Sequence, residues 1–164
     1  MKRLWMAAAL LVALAALWLG LASHADGQRP RGTDTEQIYA LLAQGAAAAS
    51  RHDAAGVQQL ISENYHDELF TAIQARMQVA RVLREHPTLR VIIPDRSVQV
   101  QLEPDGKHAR LVFQLTLVAE GGETPYHSES QIFLKLAKEP VRYLWLFPGE
   151  EWKVVFASGY ATDL

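Results

Sequence analysis

Residues 97–136, SVQVQLEPDGKHARLVFQLTLVAEGGETPYHSESQIFLKL, decide the fold of this 164-residue chain. Apolar and polar side chains alternate along three runs of this stretch, which is the two-residue period of a strand with one buried face. The turn residues Pro104-Asp105-Gly106 separate the first two runs, and Glu120-Gly121-Gly122-Glu123 separates the second from the third. We therefore predict three consecutive antiparallel strands joined by two tight turns.

The segments that precede these strands carry helix signals. Thr33 and Glu36 have the spacing of a capping box, in which each side chain bonds the backbone of the other residue. Asp53 is placed to begin a second, short helix. A third helix is predicted to end at His86-Pro87, with a single apolar stripe formed by Phe70, Ile73, Met77, Ala80 and Leu83. Helices followed by a run of strands indicate an α+β fold.

An aromatic run and a further strand follow residue 136. Residues 141–147 are dense in aromatic and large apolar side chains, and we interpret them as core, as the mouth of a pocket or as the face of a homodimer. Trp152, Val154 and Phe156 alternate with other residues, so we predict a last strand that carries these three on one face.

The first 25 residues have the pattern of an export signal. Lys2 and Arg3 precede the uncharged residues 4–22, and Ser23-His24-Ala25 fits a small-x-small cleavage site. The apolar run is also long enough to span a bilayer. Two outcomes stay open: cleavage gives a periplasmic or secreted protein, and retention gives a protein anchored in the inner membrane. Residues 26–33 are interpreted as a linker and residues 34–164 as one domain.

Composition excludes several classes of function. The formal net charge is -2, so the chain lacks the basic surface that a nucleic-acid partner requires. It has no cysteine, which excludes disulfides, thiolate metal sites and a cysteine nucleophile. The six histidines are scattered without ligand spacing. We therefore predict no metal site and no cofactor.

The order of the elements resembles the nuclear transport factor 2-like superfamily, whose domain is also called the cystatin-like cone fold. Two phrases carry the resemblance: Ser62-Glu63-Asn64-Tyr65-His66-Asp67-Glu68 after the second helix, and Glu151-Trp152-Lys153-Val154 in the last strand. The resemblance covers about residues 34–160. It implies N-terminal helices packed on a strongly curved antiparallel sheet, with a cavity between them. It also implies that members include enzymes, small-molecule binders and assembly scaffolds.

For members that are pocket enzymes, of the isomerase, cyclase or dehydratase type, the resemblance implies a desolvated carboxylate base and a tyrosine or second acid. The positions that match are Asp67, the adjacent His66, and Tyr39 on the first helix. Burial in a cavity would suit Asp67 to act as the base. The alternative interpretation makes Asp67 the cap of the third helix and leaves His66 and Tyr39 at the surface.

The leading hypothesis is an exported, non-catalytic binding domain for an apolar small molecule or a protein partner. Ser128 and Ser130 share a strand face with Ile132, and we predict that this face is buried. The predicted cavity has mostly apolar walls and few titratable groups, which is typical of a binder. A pocket enzyme and a membrane-anchored envelope scaffold remain the alternatives. The predicted ligand-binding residues are Leu111, Phe113, Leu115, Ser128, Ser130, Ile132 and Phe156.

Overall fold

The computed structural model describes residues 31–119, 126–144 and 147–159. In these ranges the chain forms helices first and strands afterwards, so the predicted α+β order is confirmed. The leader, most of the linker and the second predicted turn, at residues 120–123, lie outside the described residues. The helices are α1 (Asp34–Ser50), α2 (Ala54–Gln58) and α3 (Ala72–Glu85). The strands are β1 (Leu89–Ile92), β2 (Gln99–Leu102), β3 (His108–Ala119), β4 (Tyr126–Tyr143) and β5 (Phe147–Ser158).

Both predicted helix caps at the start of the domain are confirmed. The backbone N–H of Thr33 donates to Glu36 Oε2 at 2.7 Å, and the backbone N–H of Glu36 donates to Thr33 Oγ1 at 3.3 Å. The hydrogen bond from the Thr33 backbone holds the pKa of Glu36 below its usual value. Asp53 Oδ1 accepts from the backbone N–H of Gly56 at 2.9 Å and caps α2.

The sheet is antiparallel, strongly curved and built around β3. β1 and β2 pair with opposite ends of β3 along one edge, while β4 pairs along its other edge and β5 lies beyond β4. The first predicted turn is confirmed, since Gly106 lies between β2 and β3 with a φ of 64°, a conformation that glycine adopts without strain.

One face of the sheet packs against α1 and forms the main core. Alternate residues of β3 and β4 point into it, and Leu111 opposes Leu134 in the strand register. The face of β4 that continues from Ser128 and Ser130 is therefore the buried one, as predicted. The core residues are Ile38, Leu41 and Leu42 of α1, Ala109, Leu111 and Phe113 of β3, Ile132, Leu134 and Leu136 of β4, and Trp152 of β5.

Helix α3 packs differently from the prediction. The predicted apolar stripe is wrong for Ile73 and Met77, whose exposed fractions are 71% and 67%. The residues that α3 buries are Ala72, Ala75 and Leu83. Because alanine side chains are short, they let the helix approach the Tyr65 segment closely, and this contact orients the larger side chains outward.

The outer ends of β4 and β5, Pro140–Glu151, belong to a compact unit of their own. Within this unit Tyr143 is buried, and a Cβ at position 149 would overlap its ring, so Gly149 is required there. Leu144 has a φ of 49°, which helps the chain reverse direction after β4. Residues 145 and 146 of the predicted homodimer face lie outside the described residues, and the homodimer stays a prediction.

Candidate functional site

Asp67, the predicted base, lies buried in the loop between α2 and α3. Its Oδ1 accepts from the backbone N–H groups of Leu69 at 2.7 Å and Phe70 at 2.6 Å, and the Tyr65 hydroxyl donates to Oδ2. An ionised carboxylate offers about four acceptor positions. Asp67 thus uses at least three of its acceptor positions to hold its own loop.

Asp67 does not cap α3. That helix begins with a capping box of its own, in which the backbone N–H of Thr71 donates to Gln74 Oε1 at 2.9 Å. The alternative interpretation of Asp67 as the helix cap is therefore wrong. Asp67 closes the turn that precedes the cap, four residues earlier in the chain.

The other two predicted catalytic residues are exposed. The backbone N–H of His66 donates to the carbonyl of Val155 at 3.1 Å, and its side chain faces solvent. The Tyr39 hydroxyl donates to the carbonyl of Val98 at 3.3 Å, beside a hollow of about 320 Å³. None of these contacts joins Tyr39 to Asp67, so the described hydrogen bonds do not assemble the three residues into one site.

Most of the predicted ligand-binding residues belong to the main core. Leu111, Phe113 and Ile132 are buried against α1, and Leu115 packs beside them, half-buried. Ser128 and Ser130 are half-buried and face Leu117 and Leu115 in the strand register. In the described part of the chain, this face is thus largely filled by packed side chains rather than open to a ligand.

Phe156 lies on the opposite face of the sheet. Its ring centroid is 6.2 Å from that of Phe133, and Lys135 Nζ lies 4.8 Å from the Phe156 centroid. Phe133 and Lys135 alternate along β4 with the core residues Ile132 and Leu134, so they point away from α1. The prediction that Phe156 shares a face with Trp152 and Val154 is therefore wrong.

A break in the alternation of β5 explains the position of Phe156. The carbonyls of Val154 and Val155 both accept from the same neighbouring segment, from the backbone N–H groups of Ser62 at 2.9 Å and His66 at 3.1 Å. Consecutive carbonyls of a regular strand point to opposite edges. Two consecutive carbonyls that point to one edge indicate the local geometry of a β-bulge. The side chains after the bulge then point to the opposite faces of the sheet from those that regular alternation would give.

A polar cluster that sequence analysis missed joins the α2–α3 loop to β4. Ser62 is 1% exposed, and its hydroxyl donates to Glu139 Oε1 at 2.5 Å. Ser62 Oγ also accepts from the backbone N–H of Asn64 at 2.8 Å, and Asn64 Nδ2 donates to Glu139 Oε1 at 3.3 Å. Because 77 residues separate Ser62 from Glu139, no local spacing signals this pair. Its contacts position the loop that holds Asp67.

A second feature that sequence analysis missed is an apolar surface on α3. We define the α3 stripe as Ile73 and Met77, one helical turn apart on α3, together with Leu69 in the loop just before the helix; their exposed fractions are 71%, 67% and 54%. Arg81 continues the same line and lies 3.7 Å from Glu85. Contiguous exposed apolar side chains mark interaction surfaces. The signal in the sequence is that α3 has apolar residues on two faces.

The described ranges contain neither a helix suited to span a membrane nor a cluster of metal ligands. No helix there combines the length and the apolar character needed to cross a membrane. Among the same residues, no three histidine, aspartate or glutamate side chains converge as metal ligands would.

Comparisons with known proteins bear on the fold alone. No family model and no curated protein matches the sequence. A nuclear transport factor 2-like protein with a cystatin-like fold from Novosphingobium aromaticivorans is 18% identical, with a TM-score of 0.58 over 79% of this chain and 82% of that chain. A candidate dehydratase of the same family from Streptomyces avermitilis is 14% identical, with a TM-score of 0.59 over 79% and 97% of the two chains.

Bd1075 from Bdellovibrio bacteriovorus is 7% identical and has a TM-score of 0.60. The match covers 78% of this chain but 41% of Bd1075, so this chain spans less than half the length of that protein. Structural similarity at this level of sequence identity shows a shared architecture and does not show a shared activity. The helices, the strongly curved antiparallel sheet and these matches together show that the chain has the cystatin-like fold of nuclear transport factor 2-like proteins.

Proposed function

We propose that this chain is a non-catalytic binding domain whose partner is a protein that docks on the α3 stripe. The observation that carries the proposal is the orientation of α3. The helix packs its alanines inward and presents Ile73 and Met77 to solvent, although burial of such large side chains is favourable. A protein partner would remove this apolar surface from water.

The charges beside the stripe define the chemistry of the partner. Arg81 and Arg84 follow Met77 on the exposed side of α3. Arg84 forms no ion pair in the part of the chain that the structure describes, and the 3.7 Å contact of Arg81 with Glu85 is a half-exposed pair of small energy. The partner that fits is an amphipathic helix with apolar residues at helical spacing and carboxylates at one end.

The packing of the interior supports a surface site over an internal one. Leu111 and Ile132, which were predicted to line a cavity, are buried among the side chains of α1. A small apolar ligand in that position would have to displace them, at the cost of core packing. Export of the domain stays a prediction, and the proposed binding surface is independent of it.

Site-specific photo-crosslinking tests the proposal. A photoreactive residue replaces Ile73 in the full chain, and a matched control places it at Gln44, an exposed position on α1. We expect position 73, and not position 44, to capture in host cells a protein with an acidic amphipathic helix. A synthetic peptide of that helix should then bind the chain, and Met77→Ser should weaken binding about thirtyfold, as at a hot spot.

Three results would contradict the proposal. Identical captured proteins at positions 73 and 44 would show that α3 has no preferred partner. Capture of a second copy of this chain alone would make the stripe a homodimer face. A captured helix whose affinity is unchanged by Met77→Ser would place the contact elsewhere.

A pocket enzyme is the second candidate function. A specific observation favours it: Asp67 is a buried carboxylate that contacts the Tyr65 hydroxyl, and buried acids with hydroxyl partners occur in active sites. The Streptomyces avermitilis protein of similar fold is a candidate dehydratase. If Asp67 is catalytic, Asp67→Asn abolishes an activity found in a metabolite screen, while Asp53→Asn, which preserves the α2 cap, leaves it unchanged. Equal activity in both variants would rule out Asp67 as the base.

A further inference from the structure

A hollow of about 500 Å³ lies beside the β2–β3 turn, away from the α3 stripe. We call it the turn groove. Pro104 and Val155 contribute apolar surface to its lining, and charged side chains of the turn, β3 and β4 complete it. A volume of this order is usual for pockets that bind small ligands.

Four of the five polar side chains in the lining are paired with one another. Arg110 Nε lies 2.7 Å from Glu103 Oε1, and His108 Nδ1 lies 2.5 Å from Asp105 Oδ2. The hydrogen bond from the His108 side chain is the main reason that the pKa of Asp105 is lowered to about 2, so this carboxylate stays ionised. The groove therefore keeps two fixed negative charges that already have partners.

Lys135 is the exception. It lines the groove and forms no ion pair within the described residues. Its ammonium group lies 4.8 Å above the centre of the Phe156 ring, an arrangement that attracts the cation to the ring face. Phe133 packs edge-on against the same ring and supports it. The unpaired positive charge is thus held at a defined place beside the apolar wall.

We propose that the turn groove binds an amphipathic monoanion, with its carboxylate on Lys135 and its apolar body along Val155 and Pro104. A carboxylate supplies the charge partner that Lys135 lacks. A more highly charged anion is disfavoured, because Glu103 and Asp105 place negative charge in the same groove. This site is separate from the α3 stripe and does not depend on the docking of a protein there.

Calorimetric titration of the full chain tests the proposal with three probes of equal length: decanoate, decanol and decylamine. We expect decanoate to bind most tightly and decylamine least. Lys135→Gln should weaken decanoate about tenfold and leave decanol unchanged, because the variant removes only the charge contact. The matched control is Lys107→Gln, an exposed lysine of the same turn that does not line the groove.

Crosslinking with a diazirine analogue of decanoate locates the bound probe independently. Labelled peptides that contain residues 103–110 or 135–136, and that lose their label in Lys135→Gln, would support the proposal. Equal affinity for decanoate and decanol would overturn it, as would equal affinities of Lys135→Gln and Lys107→Gln. Labelling confined to other peptides, such as those of the apolar residues 4–22, would overturn it as well.

Discussion

The inner face of β4 and the outer face of α3 are both apolar, and only the first is buried. Ile132, Leu134 and Leu136 alternate with side chains that face away from the core. Ile73 and Met77 follow helical spacing equally well and are largely exposed. The comparison teaches that an apolar pattern predicts burial reliably only where the element has no second apolar face to bury instead.

The two elements, β4 and α3, differ in how many faces their sequences allow to be buried. A strand that slips by one residue exchanges its faces completely, and in β4 that slip would expose three large side chains. Helix α3 has a second set of apolar residues, Ala72, Ala75 and Leu83, that packs as well or better because two members are small. The face with the closer packing is buried, and the face with the larger side chains remains outside.

The largest expected effect lies on the inner face of the sheet. Leu111→Ala should reduce the free energy of unfolding by about 3 kcal/mol, because it removes a fully buried side chain and leaves a cavity. Urea denaturation of the full chain measures the change. Ile92→Ala, at an exposed position of β1, is the control and should change the stability much less. Similar losses of stability in both variants would show that burial on the inner face does not determine the effect of the substitution.

Overpacking the inner face of α3 should have the next largest effect. Ala75→Leu adds three carbon atoms to a buried position beside Tyr65 and should cost about 2 kcal/mol of stability. The control is Ala40→Leu at an exposed position of α1, where the added side chain meets solvent. If thermal unfolding shows Ala75→Leu to be neutral, the alanines of α3 do not determine how the helix is oriented.

The outer face of α3 should tolerate polar substitution. Ile73→Ser should change the free energy of unfolding by no more than about 0.5 kcal/mol, because the side chain is mostly in water before the change. Chemical denaturation of Ile73→Ser and of Met77→Ser measures the change at both positions and checks whether the whole stripe tolerates polar substitution. A loss near that of Leu111→Ala would show that the stripe is covered in the free protein.

The smallest expected effect is on the stability of the fold at acidic pH. The core residues of the inner face are apolar side chains, whereas Asp105 at the end of the same sheet is exposed and hydrogen-bonded. Its pKa is lowered from 3.8 to about 2, so its contribution to stability is complete above about pH 3.8 and is lost as the pH falls toward 2. Carbon-detected titration of the Asp105 carboxyl should give a midpoint near 2.

Two variants check the cause of this shift. His108→Gln should raise the midpoint of Asp105 toward 3.8, because the His108 side chain supplies the largest lowering effect. Arg110→Gln should leave it unchanged, since Arg110 pairs with Glu103 instead. A midpoint that moves equally in both variants would assign the shift to the general charge of the turn.

The local sequence by itself determined the helix caps, the first hairpin turn and the buried face of β4. Each of these depends on residues within a few positions of one another: Thr33 with Glu36, Asp53 with Gly56, and the two-residue alternation of the strands. Short-range hydrogen bonds and steric limits act in the same way wherever such a pattern occurs. These features were therefore predictable without the tertiary structure.

Only the tertiary structure decided the remaining features of the candidate sites. The orientation of α3 depends on how closely its alanines approach the Tyr65 segment, and the reversal of Phe156 depends on hydrogen bonds between β5 and the loop at residues 62–66. Ser62 contacts Glu139, which lies 77 residues further along the chain, and Lys135 of β4 contacts Phe156 of the neighbouring strand β5. Contacts of this kind are chosen by competition among packing arrangements of the whole chain, which no short spacing encodes.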